Sequence, residues 1–214
     1  MPLKLTSTDG LALIVSAPSG TGKTTVCGKL RELLPELGIK VSHTTRNPRT
    51  GEVDGVHYHF IDTKEFQEGV DRGDFLEWAQ VHTDLYGTLR QPVEEQLSQG
   101  RDLLMELDVQ GVASLREQNF PGIFVLILPP SLPELERRLV HRATETPEKI
   151  ARRLETAKTE IARYPLYDYV VTNHVVEDTV QTMMAILHAE KHRSTRYCPD
   201  NEEIRSLMDP GIKT

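Results

Sequence analysis

Residues 11–26 read LALIVSAPSGTGKTTV, and this stretch decides the fold class. Its first part, 11–16, is a continuous apolar run, which is typical of a strand buried on both faces of a parallel sheet. A turn with two glycines, 17–22, follows at once, and a helical pattern begins at Lys23. The order strand, turn and helix predicts the first unit of an α/β fold.

The turn has the composition of a phosphate-binding loop. It matches G-x-x-x-x-G-K-[ST], except that Ala17 stands at the first glycine. Gly20 and Gly22 allow backbone N–H groups to face phosphate oxygens, and the positive end of the following helix faces the same anion. Lys23 suits the β- and γ-phosphates, and the Thr24 hydroxyl suits Mg²⁺. We assign a nucleoside triphosphate site to the loop and the first helical residues: Ala17, Pro18, Ser19, Gly20, Thr21, Gly22, Lys23, Thr24 and Thr25.

Apolar strands alternate with amphipathic helices along most of the chain. Further strands are predicted at 102–108, 123–128 and 169–172. Apolar residues recur at helical spacing over 150–161 and 176–187. This alternation implies parallel crossovers, so we expect a three-layer α/β core with a mostly parallel sheet. Residues 41–91 interrupt this alternation of strands and helices with several glycines and a proline. This stretch predicts an inserted mixed α/β lobe.

The composition excludes several classes of protein. The chain has 214 residues, with 25 Lys and Arg against 32 Asp and Glu, a net charge of −7. A hydrophobic fraction of 38% suits a globular protein rather than a disordered one. No apolar run approaches the roughly 20 residues that cross a bilayer. The acidic total and the 2 cysteines predict a cytoplasmic protein whose partners include neither nucleic acid nor a membrane.

A second phosphate-binding cluster is predicted in the inserted lobe. Arg46 and Arg49 flank a proline and Tyr58 offers a hydroxyl, so all three suit a phosphate that the acceptor already carries. The Glu77 carboxylate can accept two N–H bonds at once, which matches guanine and mismatches adenine. The alternative is that the arginines are ordinary surface residues and that Glu77 is a solvated strand residue.

From residue 11 to about residue 187, the sequence resembles the guanylate kinase family. The matching strings are SAPSGTGKTT, SHTTRNPRTGEVDGVHYHF, FLEWAQVH, YGT, LLMELDVQG, LPPSLPELERRL and HRATET. The resemblance implies that ATP with Mg²⁺ occupies the loop and that GMP occupies the inserted lobe. It implies that the arginines and tyrosines hold the GMP phosphate, while Ser42, Glu77 and Thr88 hold guanine. The implied GMP contacts are Ser42, Arg46, Arg49, Glu52, Tyr58, Glu77, Tyr86, Thr88 and Asp108.

Six arginines lie between residues 137 and 163. Phosphoryl transfer gains from preorganised cations, and a mobile arginine-bearing lid meets this need. The resemblance selects Arg138, Arg142 and Arg153 as catalytic groups beside Lys23, and it implies that Asn173 helps to hold adenine. The remaining arginines are expected to be solvated residues of a helical hairpin: Arg137, Arg152 and Arg163.

Two acidic residues are predicted at the carboxyl end of the strand 102–108, where open α/β sheets place their ligands. Glu106 and Asp108 alternate along this strand and therefore point to one side. Either or both hold Mg²⁺ through water, or Asp108 reaches GMP, and the sequence leaves these roles open. His57 and His59 share a strand face, but they supply fewer than the three or four ligands of a transition-metal site.

The predicted organisation is a guanylate kinase-like domain over 1–191 and a tail over 192–214. The domain divides into a core, a GMP-binding lobe and a helical lid. Its core comprises 1–40, 92–136 and 164–191, its lobe 41–91 and its lid 137–163.

The expected activity is transfer of the ATP γ-phosphoryl group to GMP, and also to dGMP, in purine nucleotide metabolism and GMP recycling. One alternative is a non-catalytic module of the same fold that binds proteins through the lobe. Another is a related kinase for a different phosphorylated acceptor, such as a ribose bisphosphate. The sequence leaves open whether the protein is a monomer or a homo-oligomer.

Overall fold

The computed structural model describes residues 9–81, 83–141, 146–197 and 201–208, so Arg142 lies outside the described residues. The strands are β1 (Ala12–Ser16), β2 (Gly38–Ile39), β3 (His43–Thr44), β4 (His59–Phe60), β5 (Phe75–Val81), β6 (Asp84–Leu89), β7 (Leu103–Glu106), β8 (Ile123–Leu128) and β9 (Tyr169–Thr172). The larger sheet has the order β2-β7-β1-β8-β9, and all its neighbouring pairs are parallel. The sequence did not predict the short edge strand β2.

Helices cover both faces of the larger sheet. The helices of the described residues are α1 (Lys23–Leu33), α2 (Thr63–Arg72), α3 (Arg90–Ser98), α4 (Val109–Glu117), α5 (Leu132–His141), α6 (Pro147–Ile161), α7 (Val176–Lys191) and α8 (Glu202–Met208). Of these, α1 and α7 pack on one face of the larger sheet and α3 and α4 on the other. Leu13 and Val15 of β1 pack with apolar residues of α1 and α7, whereas Ala12 and Ile14 pack with those of α3 and α4. All five side chains of β1 are buried, which explains its continuous apolar sequence. The predicted α/β class with a mostly parallel sheet is confirmed.

The stretch predicted as an inserted lobe forms a second sheet of its own, with the order β4-β3-β6-β5. The antiparallel hairpin of β5 and β6 places Glu77 opposite Thr88. A glycine is required at Gly87, since a Cβ there would lie 2.6 Å from the ring of Phe75. Phe75 stacks on Phe66 with ring centroids 4.3 Å apart, and this contact fixes the hairpin against α2.

The helices α5 and α6 form a pair with a small apolar core of its own. Leu135 and Leu139 of α5 are buried with Ala157 of α6, and Ile150 and Leu154 pack against them. The pair begins at α5, some residues before the proposed lid boundary at 137, which remains a prediction. This hairpin carries Arg138 and Arg153, two of the three arginines that the sequence assigns to phosphate chemistry.

The proposed tail contains both a contact with the core and a short helix. The Arg196 guanidinium donates to the carbonyl oxygens of Asp9 at 2.9 Å and Gly10 at 3.3 Å. Beyond it, α8 exposes Ile204 and Leu207. Within the described part of the chain, no helix has the length and apolar character needed to cross a membrane.

Candidate active site

The loop between β1 and α1 has the backbone conformation of a phosphate-binding turn. Gly20 and Gly22 adopt positive φ values of 92° and 102°, a conformation that residues other than glycine strongly disfavour. Gly22 is the N-cap of α1, and the Thr21 N–H donates to the Pro18 carbonyl at 3.1 Å to close the turn. Ala17, at the position of the usual first glycine, packs against the core. The N–H groups of the first helical turn therefore lie where an anion would meet them.

Asn173 follows β9, which is separated from β1 by β8, and its side chain fixes the loop. It is 2% exposed, and its Nδ2 donates to the Thr21 carbonyl at 2.9 Å. Its Oδ1 accepts from the Thr179 hydroxyl at 3.0 Å. A Cβ at Gly22 would lie 2.8 Å from the same Asn173 nitrogen, so the contact demands glycine there. The side chain thus positions the loop backbone, and its implied contact with adenine stays a prediction.

Two arginines of the helical hairpin reach the loop. Arg138 donates from Nη1 to the Thr21 carbonyl at 3.1 Å, while its Nε donates to Glu134 at 2.8 Å. Arg153 donates from Nη2 to the Ser19 hydroxyl. The structure therefore brings these two predicted cations to the loop, although their catalytic role remains a prediction.

A cavity of about 470 Å³ opens beside the loop on the α7 side. Its lining consists of Gly20, Gly22, Thr25, Arg137, Arg138, Asn173, His174 and Val176. Sequence reasoning set Arg137 aside as solvated, and its side chain is indeed 60% exposed, yet it borders this cavity. Hydrogen bonds from Arg137 and Arg138 lower the pKa of Glu134 to about 2. That carboxylate holds both guanidinium groups in place; the i, i+3 and i, i+4 spacing was the only sequence signal for this arrangement.

A second cavity, of about 380 Å³, lies between the two sheets. Residues from the loop, the strand ends and the smaller sheet share it: Lys23, Lys40, Ser42, Arg46, Arg49, Glu52, Tyr58, Glu77, Ala79, Val81, Tyr86, Gly87, Glu106, Leu107 and Asp108. The lobe residues predicted to bind the acceptor therefore line one cavity. Thr88 is the exception, because it bonds to Glu77 and does not itself line the cavity. Lys40 is a cavity residue that sequence reasoning missed.

One end of this cavity is built around Arg46. Its Nη1 and Nη2 each donate to one oxygen of Glu52 at 2.9 Å, and its Nε donates to the Tyr86 hydroxyl at 3.2 Å. Glu52 also accepts the backbone N–H of Arg49 at 2.7 Å. These bonds, the guanidinium first, lower the pKa of Glu52 to about 2. In this arrangement Glu52 orients Arg46, and its implied contact with GMP stays a prediction.

The same cavity also holds a buried carboxylate. Glu77 is 6% exposed and Thr88 is 1% exposed, and the Thr88 hydroxyl donates to Glu77 Oε1. The same oxygen lies 3.4 Å from Lys40 Nζ. Burial lowers the pKa of Lys40, and the Glu77 carboxylate opposes this effect. The alternative that Glu77 is a solvated strand residue is wrong, because the hairpin buries it.

The two acidic residues predicted at the end of β7, Glu106 and Asp108, have different positions in the structure. The strand β7 ends at Glu106 rather than at the predicted 108, because Asp108 is the N-cap of α4 and accepts the Gly111 N–H at 2.8 Å. Both carboxylates line the second cavity, which we call the acceptor cavity because the residues predicted to bind the acceptor line it. Lys23 also faces this cavity and donates from Nζ to the Leu107 carbonyl at 3.3 Å. The lysine of the loop therefore lies where the phosphate-binding loop meets this cavity.

His43 is a half-buried histidine in the smaller sheet. It stacks on His59 with ring centroids 4.5 Å apart and meets the edge of Phe75 at 6.2 Å. Burial lowers the pKa of His43 to about 4, and the neighbouring His59 and Lys40 add to this effect. Among the residues that the structure describes, no group of three or more His, Cys, Asp or Glu could hold a metal ion.

We expect the stability of the protein to fall as the pH is lowered from 6.5 to about 4. The pKa of His43 is lower in the folded state than in the unfolded chain, so protonation in this window favours unfolding. The lowered pKa values of Glu52 and Glu134 act at lower pH, between 4.5 and about 2. Thermal unfolding across the upper window measures the effect, and His43→Asn should flatten the slope. An unchanged slope in that variant would contradict this assignment.

The fold and the site together define a P-loop nucleoside monophosphate kinase, since a phosphate-binding loop and an arginine- and carboxylate-lined acceptor cavity share Lys23. The sequence model of the family described as guanylate kinase matches residues 10–190. The chain therefore belongs to the guanylate kinase family.

Proteins similar to this chain are named as members of the same family. The guanylate kinase of Clostridium perfringens (strain SM101 / Type A) is 45% identical over 187 residues, which cover 87% of each chain. That of Carboxydothermus hydrogenoformans is 41% identical over 203 residues, which cover 95% of this chain and 97% of the relative. The crystal structure of guanylate kinase from Anaplasma phagocytophilum is similar with a TM-score of 0.73 and 32% identity, covering 94% of each chain.

Proposed function

We propose that the protein transfers the γ-phosphoryl group of ATP to GMP, giving ADP and GDP. The observation that carries the proposal is the shared cavity, in which Lys23 of the phosphate-binding loop faces the same space as Arg46 and Glu77. Arg46 and Tyr86 suit the phosphate of the acceptor. Glu77 suits the N1–H and 2-amino groups of guanine. The names of the relatives support the same activity.

The proposed reaction is a direct in-line displacement. An oxygen of the GMP phosphate attacks the γ-phosphorus, the new P–O bond forms, and the bond to the ADP oxygen breaks. Lys23, Arg138 and Arg153 would stabilise the charge that develops on the transferred group. We also propose that the lobe over 41–91 and the lid over 137–163, with Arg142, close over the substrates and exclude water, the competing acceptor.

Mg²⁺ is proposed as the metal of the reaction. Two of the chain's oxygen ligands fit this ion: the exposed Thr24 hydroxyl at the start of α1 and the Glu106 carboxylate in the acceptor cavity. Asp108 is less suited, because one of its oxygens already caps α4. Bound Mg²⁺ would neutralise charge on the β- and γ-phosphates.

The proposal extends to dGMP, since the assigned contacts lie at the phosphate and the base rather than at the sugar. We place the protein in the cytoplasm, in purine nucleotide metabolism and GMP recycling. The acidic net charge of −7 and the 2 cysteines support this setting.

An acceptor panel tests the proposal. We expect ADP release with GMP and dGMP and none above background with AMP, CMP, UMP or a ribose bisphosphate, because only guanine offers paired donors to Glu77. A coupled assay of ADP release measures this at equal acceptor concentrations. Faster turnover of the ribose bisphosphate would favour a different kinase. The absence of turnover with every acceptor, together with GMP binding, would favour a non-catalytic module.

A further inference from the structure

Lys40 is a charged residue of the acceptor cavity to which the proposed reaction gives no role. It follows β2 directly, and its N–H donates to the Leu104 carbonyl at 3.3 Å, at the carboxyl edge of the larger sheet. Its side chain is 4% exposed and lines the cavity with Ser42. Its Nζ lies 3.4 Å from Glu77 Oε1. A buried ammonium thus lies beside the carboxylate proposed to hold the base.

The contact with Glu77 satisfies only part of the hydrogen-bonding capacity of the Lys40 ammonium. An ammonium carries three donors, whereas within the described part of the chain Lys40 Nζ has one hydrogen-bond partner. That partner oxygen already accepts from Thr88. The distance of 3.4 Å is also long beside the roughly 2.7–2.9 Å of a charge-assisted hydrogen bond. A buried donor of this kind favours an acceptor atom on a ligand in the same cavity.

Guanine offers such an atom next to the groups that Glu77 would hold. Its N1–H and 2-amino donors are adjacent, and the O6 acceptor is on the other side of N1. A carboxylate and an ammonium side by side match this edge, whereas adenine presents an amino donor in place of O6. We propose that Lys40 is a specificity-determining residue that donates a hydrogen bond to O6 of the acceptor base. The proposal rests on GMP being the acceptor.

Two GMP analogues separate the Lys40 contact from the Glu77 contact. 6-Thio-GMP keeps N1–H and the 2-amino group but replaces O6 with sulfur, a weak acceptor. IMP keeps O6 but lacks the 2-amino group. Values of kcat/KM for GMP and both analogues would be measured with the wild type, Lys40→Met and Glu77→Gln, after thermal unfolding has shown that each variant is folded.

We expect Lys40→Met to raise the KM for GMP by about 10-fold and to reduce the preference for GMP over 6-thio-GMP by a similar factor. The preference for GMP over IMP should change by less than about twofold, because that preference reports the 2-amino contact. The matched variant Glu77→Gln should instead reduce the preference for GMP over IMP. Lys40→Arg, which keeps a donor, should retain part of the discrimination against 6-thio-GMP.

Three outcomes would overturn the proposal. The first is a wild-type protein that uses 6-thio-GMP as well as GMP. The second is a Lys40→Met variant that weakens all three acceptors equally, which would mean that Lys40 only balances the charge of Glu77. The third is an unchanged or lower KM for GMP in that variant. Failure of the proposed function itself would be distinguishable, since the wild type would then not turn over GMP at all.

Discussion

Lys23→Met is expected to lower kcat for phosphoryl transfer by about 10³-fold or more, while the KM for GMP changes little. Lys23 lies at the junction of the loop and the acceptor cavity, with Nζ 3.3 Å from the Leu107 carbonyl. A cation at this point acts on charge that develops during the transfer. The contacts proposed for GMP lie elsewhere in the cavity, on Arg46 and Glu77. An effect confined to kcat is the signature of an interaction made in the transition state.

Steady-state ADP release gives kcat and KM, and calorimetric titration with GMP gives the affinity of the variant. Lys29→Met is the matched control, because Lys29 lies on the same helix α1 and makes a surface pair with Glu32 at 3.8 Å. The control should retain wild-type turnover. Near-normal kcat in Lys23→Met would refute the assignment of the loop to ATP.

Arg153→Met is expected to lower kcat by about 10²- to 10³-fold, whereas Arg152→Met should leave it close to the wild-type value. The two arginines are adjacent on α6, and consecutive helical side chains point about 100° apart. Arg153 donates to the Ser19 hydroxyl in the phosphate-binding loop. Arg152 is exposed and borders a separate cavity with Leu132 and Glu155. Of these two arginines, Arg153 is the one that contacts the loop proposed to hold ATP.

The comparison is informative because both variants lose the same charge from the same helix. Their thermal unfolding should be similar, since the apolar contacts of α6 come from Ile150, Leu154 and Ala157. Initial rates over a range of ATP and GMP concentrations would separate kcat from both KM values. Equal losses in the two variants would show that the general positive charge of the hairpin, rather than one directed contact, supports the transfer.

Several elements could be predicted because their residue pattern indicates their burial or their backbone conformation. The apolar runs that became β1 and β8 have no polar alternation, and such runs suit strands buried on both faces. The glycines of the loop were equally informative, since positive φ at Gly20 and Gly22 nearly requires glycine. The edge strand β2 was missed because two residues carry no periodicity. The strand β7 was predicted too long because an N-cap aspartate extends the alternating pattern.

The site was less predictable than the fold. Arg46, Tyr58, Glu77 and Tyr86 were named from the sequence, and the structure brings them to one cavity. Their roles toward substrates, the position of Arg142 and the lobe and lid boundaries stay predictions. The roles of Asn173 and Glu52 in positioning other groups could not be predicted, because each depends on a partner whose direction is set by packing.

By itself, the sequence determined the α/β class, the phosphate-binding loop and the residue types of the acceptor lobe. These features are local, because a strand, a glycine turn or a helix start depends on neighbours a few residues away. Only the tertiary structure decided which polar groups are buried together. Lys40 and Glu77 are separated by 37 residues and Thr21 and Asn173 by 152, so their contacts exist only after the sheets have packed. Burial is a property of the folded chain. It places Lys40, which follows a two-residue strand, beside Glu77 and makes it a candidate hydrogen-bond donor to the guanine base.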